Sequence, residues 1–100
     1  MRFDRKVECS IKRGQEQEFN RIIEAKILPI LQKQKGFQDV LLLTHGGKAT
    51  GISLWDTRTD AESYEKTAYP NVLESLKPLI EGTPKVEVCE VPLTTLHATV

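Results

Sequence analysis

The stretch VLLLTHGGKATGISLWD, residues 40–56, decides the fold of this chain. Its first four residues are a continuous apolar run, which is typical of a strand buried on both faces. His45-Gly46-Gly47-Lys48 then provides the loop, because paired glycines supply the positive φ angles that a tight hairpin needs. Residues 49–56 alternate, with Ile52 and Leu54 in one phase and Gly51, Ser53 and Trp55 in the other. The stretch therefore predicts a β-hairpin with apolar side chains on both faces.

Further strands and two helical segments flank this hairpin in the order βαβ-βαβ. Residues 3–12 alternate between apolar and charged side chains, which predicts a first strand with one buried face, although Arg5 breaks the apolar phase. Apolar residues recur at helical spacing over 15–36 and again over 60–80, and residues 85–91 alternate as a last strand. We therefore predict an α+β fold of the ferredoxin-like, split βαβ type. Its four-stranded antiparallel sheet should carry helices on one face and have the first and last strands as neighbours.

Several residues mark the breaks and ends of the predicted helices. Pro29 lies inside the first helical pattern and should kink the helix or start a new turn, because proline lacks the backbone donor. Thr59, with Glu62 three residues on, predicts the N-cap of the second helix. Pro70 should break or restart that helix, and residues 82–84 (GTP) should end the helical stripe before the last strand.

Two helices can cover only one face of a four-stranded sheet, whereas the central hairpin carries apolar side chains on both of its faces. A bare apolar face of that size usually marks an interface. We therefore expect the second face to be buried against another copy of the chain in a two-fold homodimer. Lys6 and Glu8 of the first strand would point toward the partner sheet, where they must pair or stay hydrated.

Composition and charge exclude several classes of function. The chain has 100 residues, which suits a single domain with a core over about 3–91 and a tail over 92–100. Fourteen basic residues balance fourteen acidic ones, so we expect no nucleic-acid partner and no attraction to a membrane surface. No apolar run approaches the roughly 20 residues of a membrane helix, and residues 1–6 do not have the pattern of a signal peptide.

The cysteines and histidines form no local metal-binding motif. Cys9 and Cys89 are far apart in sequence and are expected to be buried thiols of a cytoplasmic protein. The predicted topology nevertheless places them on adjacent strands, which leaves a cross-strand disulfide open. His45 and His97 are equally scattered, so we predict no metal site.

Over residues 3–91 the chain resembles the antibiotic biosynthesis monooxygenase family of the dimeric α/β-barrel superfamily. The matching segments are residues 12–19 (KRGQEQEF), 35–37 (KGF), 54–57 (LWDT) and 60–64 (DAESY). The resemblance implies a homodimer that oxidises anthrones, quinols and similar aromatics without a cofactor. The same family includes heme-degrading members and small relatives with no established substrate.

This sequence departs from the family pattern at two places. Heme-degrading relatives hold the iron with a histidine of the second helix and place an asparagine on the first strand. Here that helix has no histidine, and Val7 falls at the asparagine position, so heme turnover is disfavoured. Aromatic-oxidising relatives pair the tryptophan of the third strand with a polar residue on the same face, where this chain offers only Ser53 and Gly51.

Trp55 is the foremost candidate site residue, because its ring could stack on a flat aromatic substrate while its N–H finds an acceptor. The competing interpretation is that the ring simply fills the core. Tyr64 and Tyr69 could donate hydrogen bonds from their hydroxyls to a substrate oxygen. Alternatively, their rings pack in the core and their hydroxyls are hydrated. His45 is a weak candidate for a general base, since imidazole titrates near neutrality but this one lies in a glycine loop. His97 in the tail is weaker still.

These residues support two main hypotheses of function. In the first, an apolar cavity between helices and sheet, lined by Phe19, Ile23, Trp55 and Tyr64, makes the chain a cofactor-independent monooxygenase of small aromatic or quinol-type substrates. In the second, the same homodimer binds a small apolar or aromatic ligand without catalysis, as a regulatory protein. A third and plainer alternative is a structural dimer with a filled core and no cavity.

Overall fold

The computed structural model describes residues 2–96. Over these residues the strands are β1 (Arg2–Ile11), β2 (Phe37–His45), β3 (Lys48–Trp55) and β4 (Ile80–Val91). The helices are α1 (Glu16–Ile22), α2 (Leu28–Gln32), α3 (Arg58–Thr67) and α4 (Tyr69–Leu76). No helix among these residues is long and apolar enough to cross a membrane.

The four strands form one antiparallel sheet in the order β2-β3-β1-β4. The first and last strands are therefore neighbours, and the ferredoxin-like, split βαβ prediction is confirmed. β2 and β3 are joined by Gly46 and Gly47, whose φ angles of 57° and 77° are those of a primed two-residue turn. His45 and Lys48, predicted as part of the loop, are instead the last and first residues of the two strands.

The first helical region is interrupted before Pro29. A π-helical turn spans Ile23–Ile27 between α1 and α2, and the N–H of Leu28 donates to the carbonyl of Ile23, five residues back. Pro29 has no N–H for the regular helical ladder, so the wider turn lets the chain restart as α2 with proline in its first turn. The break predicted at Pro29 thus takes the form of one inserted wide turn.

The predicted cap of the second helical region was wrong by two residues. Thr57, not Thr59, is the N-cap of α3: its backbone is extended and its hydroxyl oxygen accepts the N–H of Asp60 at 3.1 Å. Thr59 lies within the helix, and Glu62 pairs with Arg58 at 3.5 Å instead of completing a capping box.

The start of the last strand was also predicted too late. β4 begins at Ile80, directly after a 3₁₀ turn over Lys77–Leu79, and residues 82–84 lie inside the strand. They occupy a break in the register, because Lys85 pairs with Glu8 whereas Glu81 pairs with Ser10. An edge strand tolerates a glycine and a proline at such a bulge. Proline has no N–H to donate, and on its outer side an edge strand has no neighbouring strand that would need that hydrogen bond.

The two faces of the sheet differ in cover. The helices pack on the face that carries Arg5, Val7, Cys9, Gly51 and Ser53, where the core cluster lies. The opposite face, called here the open face, carries Leu41, Leu43, Ile52, Lys6 and Glu8. Leu41 and Leu43 are 45% and 50% exposed, so the prediction that run 40–43 is buried on both faces does not hold within one chain.

The cysteines lie on adjacent strands as predicted, but they cannot meet. Cys89 pairs with Asp4 on the open face, whereas Cys9 pairs with Ala49 on the helix-covered face. Five residues of extended strand separate them along β1, roughly 17 Å at the usual rise. Both thiols are free. Cys9 is half-buried, but Cys89 is exposed on the edge strand, so the prediction of two buried thiols was wrong for Cys89. The remaining histidine, His97, lies outside the described residues.

Candidate functional site

A cavity of about 90 Å³ lies between the sheet and the helices. Its floor comes from the helix-covered face of β1, β2 and β3, and its walls come from the first and second helical regions. Most of the lining is apolar: Val7, Phe19, Ile23, Ile27, Leu31, Val40, Leu42, Ala49, Val72 and Leu76. Polar groups among the described lining residues are Arg5, Cys9, Ser53, Tyr64 and Tyr69.

Arg5 is the one charged residue among those that line the cavity. It lies on the central strand β1 and is only 2% exposed. A buried guanidinium is costly unless it is paired. Here Nε and Nη2 donate to the same carboxylate oxygen of Glu65, at 3.2 and 3.1 Å. The carboxylate comes from α3, which crosses above the strand.

Two tyrosine rings cover the Arg5 guanidinium. Its central carbon lies 4.0 Å from the centre of the Tyr69 ring and 5.2 Å from that of Tyr64. Such stacking favours the cation, because the faces of aromatic rings are electron-rich. The result is a fixed positive charge at one end of an otherwise apolar cavity.

The tyrosine hydroxyls and the cavity thiol remain protonated at neutral pH. Burial raises the pKa of Tyr64 to about 12, although the nearby Arg5 charge opposes the shift. Burial also raises the pKa of Tyr69 above its usual range, again against the influence of Arg5. For the Cys9 thiol, burial raises the pKa in the same direction. These groups can donate hydrogen bonds at neutral pH, but they are poor general bases.

Trp55 lies behind the cavity wall. The residue is completely buried, and its ring stacks on Tyr64 at 5.1 Å between centres and meets Phe37 edge-on at 5.6 Å. Its Nε1–H donates to the Ser53 hydroxyl oxygen at 2.8 Å. The ring was predicted to line the cavity, whereas Tyr64 lines it and Trp55 stacks on Tyr64 from behind.

The structure brings together four of the six residues proposed from the sequence. Phe19, Ile23, Tyr64 and Tyr69 all line the cavity, while Trp55 supports Tyr64 from behind. His45 lies elsewhere, in a separate surface depression next to the β2–β3 turn. It therefore does not face the cavity as a base would.

Arg5 and Glu65 were missed as site residues. The signal for Arg5 was present, because a charged residue interrupted the apolar phase of residues 3–12. A lone charge on a buried strand face requires a partner or a ligand. Nothing in the sequence identified the partner, since Glu65 is sixty positions away on a helix that carries several exposed carboxylates. Among residues 2–96, no group of three or more His, Cys, Asp and Glu lies together as a metal site.

The amino-acid sequence matches no protein-family model and no curated protein. Solved structures do match the fold. A proposed antibiotic biosynthesis monooxygenase from Nitrosomonas europaea superposes with a TM-score of 0.78 at 15% identity, covering 91% of this chain and 90% of its own. A second protein of that organism, of unknown function, gives 0.81 at 18% identity, covering 95% and 93%.

SnoaB, a cofactor-independent oxygenase from Streptomyces nogalater, gives a TM-score of 0.77 at 15% identity, covering 94% of this chain and 96% of its own. At such identities the similarity establishes the fold alone. The fold expected from the family resemblance, that of the antibiotic biosynthesis monooxygenases, is thereby confirmed.

Proposed function

We propose that this chain is a cofactor-independent monooxygenase that acts on small aromatic or quinol-type compounds in the cavity between its helices and its sheet. The observation that carries the proposal is the cavity itself: an apolar space with one cation and two tyrosyl rings at one end. Its support from other proteins is the shared fold with a cofactor-independent oxygenase.

In the proposed reaction the substrate is its own reductant. Once deprotonated, the electron-rich ring transfers an electron to dioxygen, and a carbon–oxygen bond forms in place of a carbon–hydrogen bond. The substrate loses two hydrogen atoms and gains one oxygen atom, and the second oxygen atom leaves as water. One dioxygen is consumed in each turnover, and no external reductant is needed.

The protein would contribute orientation and exclusion of water. Phe19 and Ile23 would press on the ring of the substrate, while the Tyr64 hydroxyl, with its pKa of about 12, would stay protonated and donate to an oxygen on that ring. Fixing the reactive position in a dry site lowers the barrier without any covalent step by the protein. Trp55 would act by holding Tyr64 in place.

Oxygen uptake with a panel of hydroquinones and anthrones tests this proposal. Gly51→Leu is the matching variant, because a Cβ built at Gly51 meets no atom within 4 Å and the residue lines the cavity. We expect wild-type turnover with at least one hydroquinone and its loss in Gly51→Leu. Gln17→Leu, on the exposed side of α1, is the control that should keep activity. A panel without oxygen uptake, or equal activity in Gly51→Leu, would refute the proposal.

The alternative is a binding or regulatory protein without catalysis. It is favoured by the chemistry of the described lining residues, none of which is a carboxylate or an imidazole able to act as a general base. Trp55 provides the discriminating signal, because its ring stacks on Tyr64, which lines the cavity. Quenching of its fluorescence by a ligand, without oxygen uptake, would indicate binding alone.

We also propose the homodimer, with the open face as its interface. Leu41 and Leu43 are exposed there beside Ile52. Lys6 and Glu8, which would face the partner sheet, pair with each other at 2.9 Å, so the interface would not have to bury either charge alone. A cytoplasmic location, predicted from the unpaired thiols, remains a proposal of the same kind.

A further inference from the structure

The Arg5 guanidinium is held by the Glu65 carboxylate, and the Tyr69 side chain also interacts with it. Arg5 Nε and Nη2 both donate to Glu65 Oε1. The Glu65 side chain is 47% exposed. A guanidinium has five N–H donors, and two suffice for these bonds. Among residues 2–96, the other donors have no carboxylate or backbone carbonyl as partner. A cation with spare donors therefore lines an apolar cavity.

The size of the cavity limits what can sit beside this cation. About 90 Å³ is less than the roughly 150 Å³ of an apolar cavity known to hold benzene. The space is therefore too small for more than one aromatic ring, and the substituents of that ring must lie toward the opening. Fused three-ring compounds would require the helices to move away from the sheet.

We propose that Arg5 is the specificity-determining residue of the cavity, and that it binds the ionised oxygen of a single-ring phenol, so that the protein takes phenols as phenolates. This inference rests on the proposed function and names the substrate class of the same site. The phenol gives its proton to solvent water, and no covalent bond to the protein forms. A charge-assisted bond from guanidinium to phenolate is about twice as strong as a neutral one.

The groups around Arg5 leave its charge available to the ligand. Tyr64 and Cys9 are neutral at physiological pH, as is Tyr69, so none of them repels a phenolate. The Tyr69 hydroxyl shares the guanidinium with the ligand. Glu65 is the one carboxylate in contact with Arg5 among the described residues, and it opposes the ligand's negative charge. The spare donors and the shielding rings together favour the ionised form of a bound phenol.

This arrangement accounts for a cavity without a base. A site that selects substrate molecules already ionised needs no residue to remove the phenolic proton. The phenol loses its proton to water at equilibrium, and Arg5 shifts that equilibrium toward the phenolate within the cavity.

The experiment uses 4-nitrophenol, whose ionised form alone absorbs visible light. The bound probe is titrated with pH in the wild type and in two variants, Arg5→Gln and Glu65→Gln. We expect the wild-type complex to ionise at least one pH unit below the free probe, equivalent to at least tenfold tighter binding of the phenolate. Arg5→Gln should abolish this shift, and Glu65→Gln should enlarge it by removing the competing charge.

A bound probe that ionises at or above the pH of the free probe would overturn the inference, as would failure of the wild type to bind it. If Arg5→Gln does not fold by circular dichroism, Glu65→Gln still tests the sign, because a smaller shift in that variant contradicts the assignment. Phenolate binding without oxygen uptake would keep this inference and reject the monooxygenase proposal. Oxygen uptake without a shift would do the reverse.

Discussion

The guanidinium carbon of Arg5 lies 4.0 Å from the centre of the Tyr69 ring. The two residues come from β1 and from the first turn of α4, so this contact ties the second helical region to the central strand. Arg5 is thereby held by a ring on its face and by a carboxylate at its edge.

Tyr69→Leu should weaken the fold and Tyr69→Phe should not. The leucine removes the aromatic face from Arg5, at an expected cost of about 1–2 kcal/mol in the free energy of unfolding. The phenylalanine keeps the ring and loses only the hydroxyl. Urea denaturation followed by circular dichroism measures both variants. Equal losses would mean that the hydroxyl, not the ring, holds Arg5.

Stability should fall at alkaline pH because of Tyr64. Its pKa is about 12 in the folded protein, against about 10 when unfolded. Below pH 10 both states are protonated and the full stability is present. As the pH rises from 10 toward 12, only the unfolded state ionises, which favours unfolding by up to about 2–3 kcal/mol. Phenylalanine at this position cannot ionise. The free energy of unfolding of the wild type should therefore fall relative to that of Tyr64→Phe over this pH window. Parallel urea curves for both proteins across that range would contradict the assignment.

Ser53→Ala should cost about 1–3 kcal/mol, because it leaves the buried Nε1–H of Trp55 without its acceptor. In a Trp55→Phe background, where the donor is gone, the same substitution should cost clearly less. A double-mutant cycle of unfolding free energies isolates this coupling. Additive effects would show that the hydrogen bond contributes nothing.

Leu43→Glu should separate the proposed homodimer into monomers. Leu43 is 50% exposed on the open face, and a carboxylate there would be buried without a partner at the interface. Gln17→Glu adds the same charge on the helix side and is the control. Sedimentation at micromolar concentration measures the mass of each protein. A wild type that sediments as a monomer would remove the homodimer from the proposal.

The elements of the fold could be predicted because each one is encoded locally. Gly46-Gly47 requires the hairpin, and the change of apolar spacing from two to about 3.6 residues separates strands from helices. The errors arose where two local signals compete. Thr57 and Thr59 are both good caps, and only the extended backbone at residue 57 selects between them. Pro84 resembles a helix terminator until the bulge in β4 gives it a place in a strand.

The candidate site was harder to predict, because it depends on contacts between distant segments. Phe19 and Tyr64 could be found from their inward phase alone. The position of Trp55 behind Tyr64 depends on the angle between α3 and the sheet. No local sequence pattern predicts that angle. Arg5 was visible in the sequence because it is a charged residue in the apolar phase of its strand. Departures of this kind from the local pattern are expected at functional sites.

The two edge strands of the sheet, β2 and β4, should differ in their tendency to aggregate with other copies of this chain when the protein is partly unfolded. β4 is blunted by its bulge, by Pro84 and by the alternating charges of Lys85 and Glu87, features that discourage another strand from adding to it. β2 carries neither proline nor charge from Val40 to Thr44, and Leu41 and Leu43 are exposed. Concentrated or heated samples should therefore aggregate by strand addition along β2, leaving the β4 side out of the growing assembly.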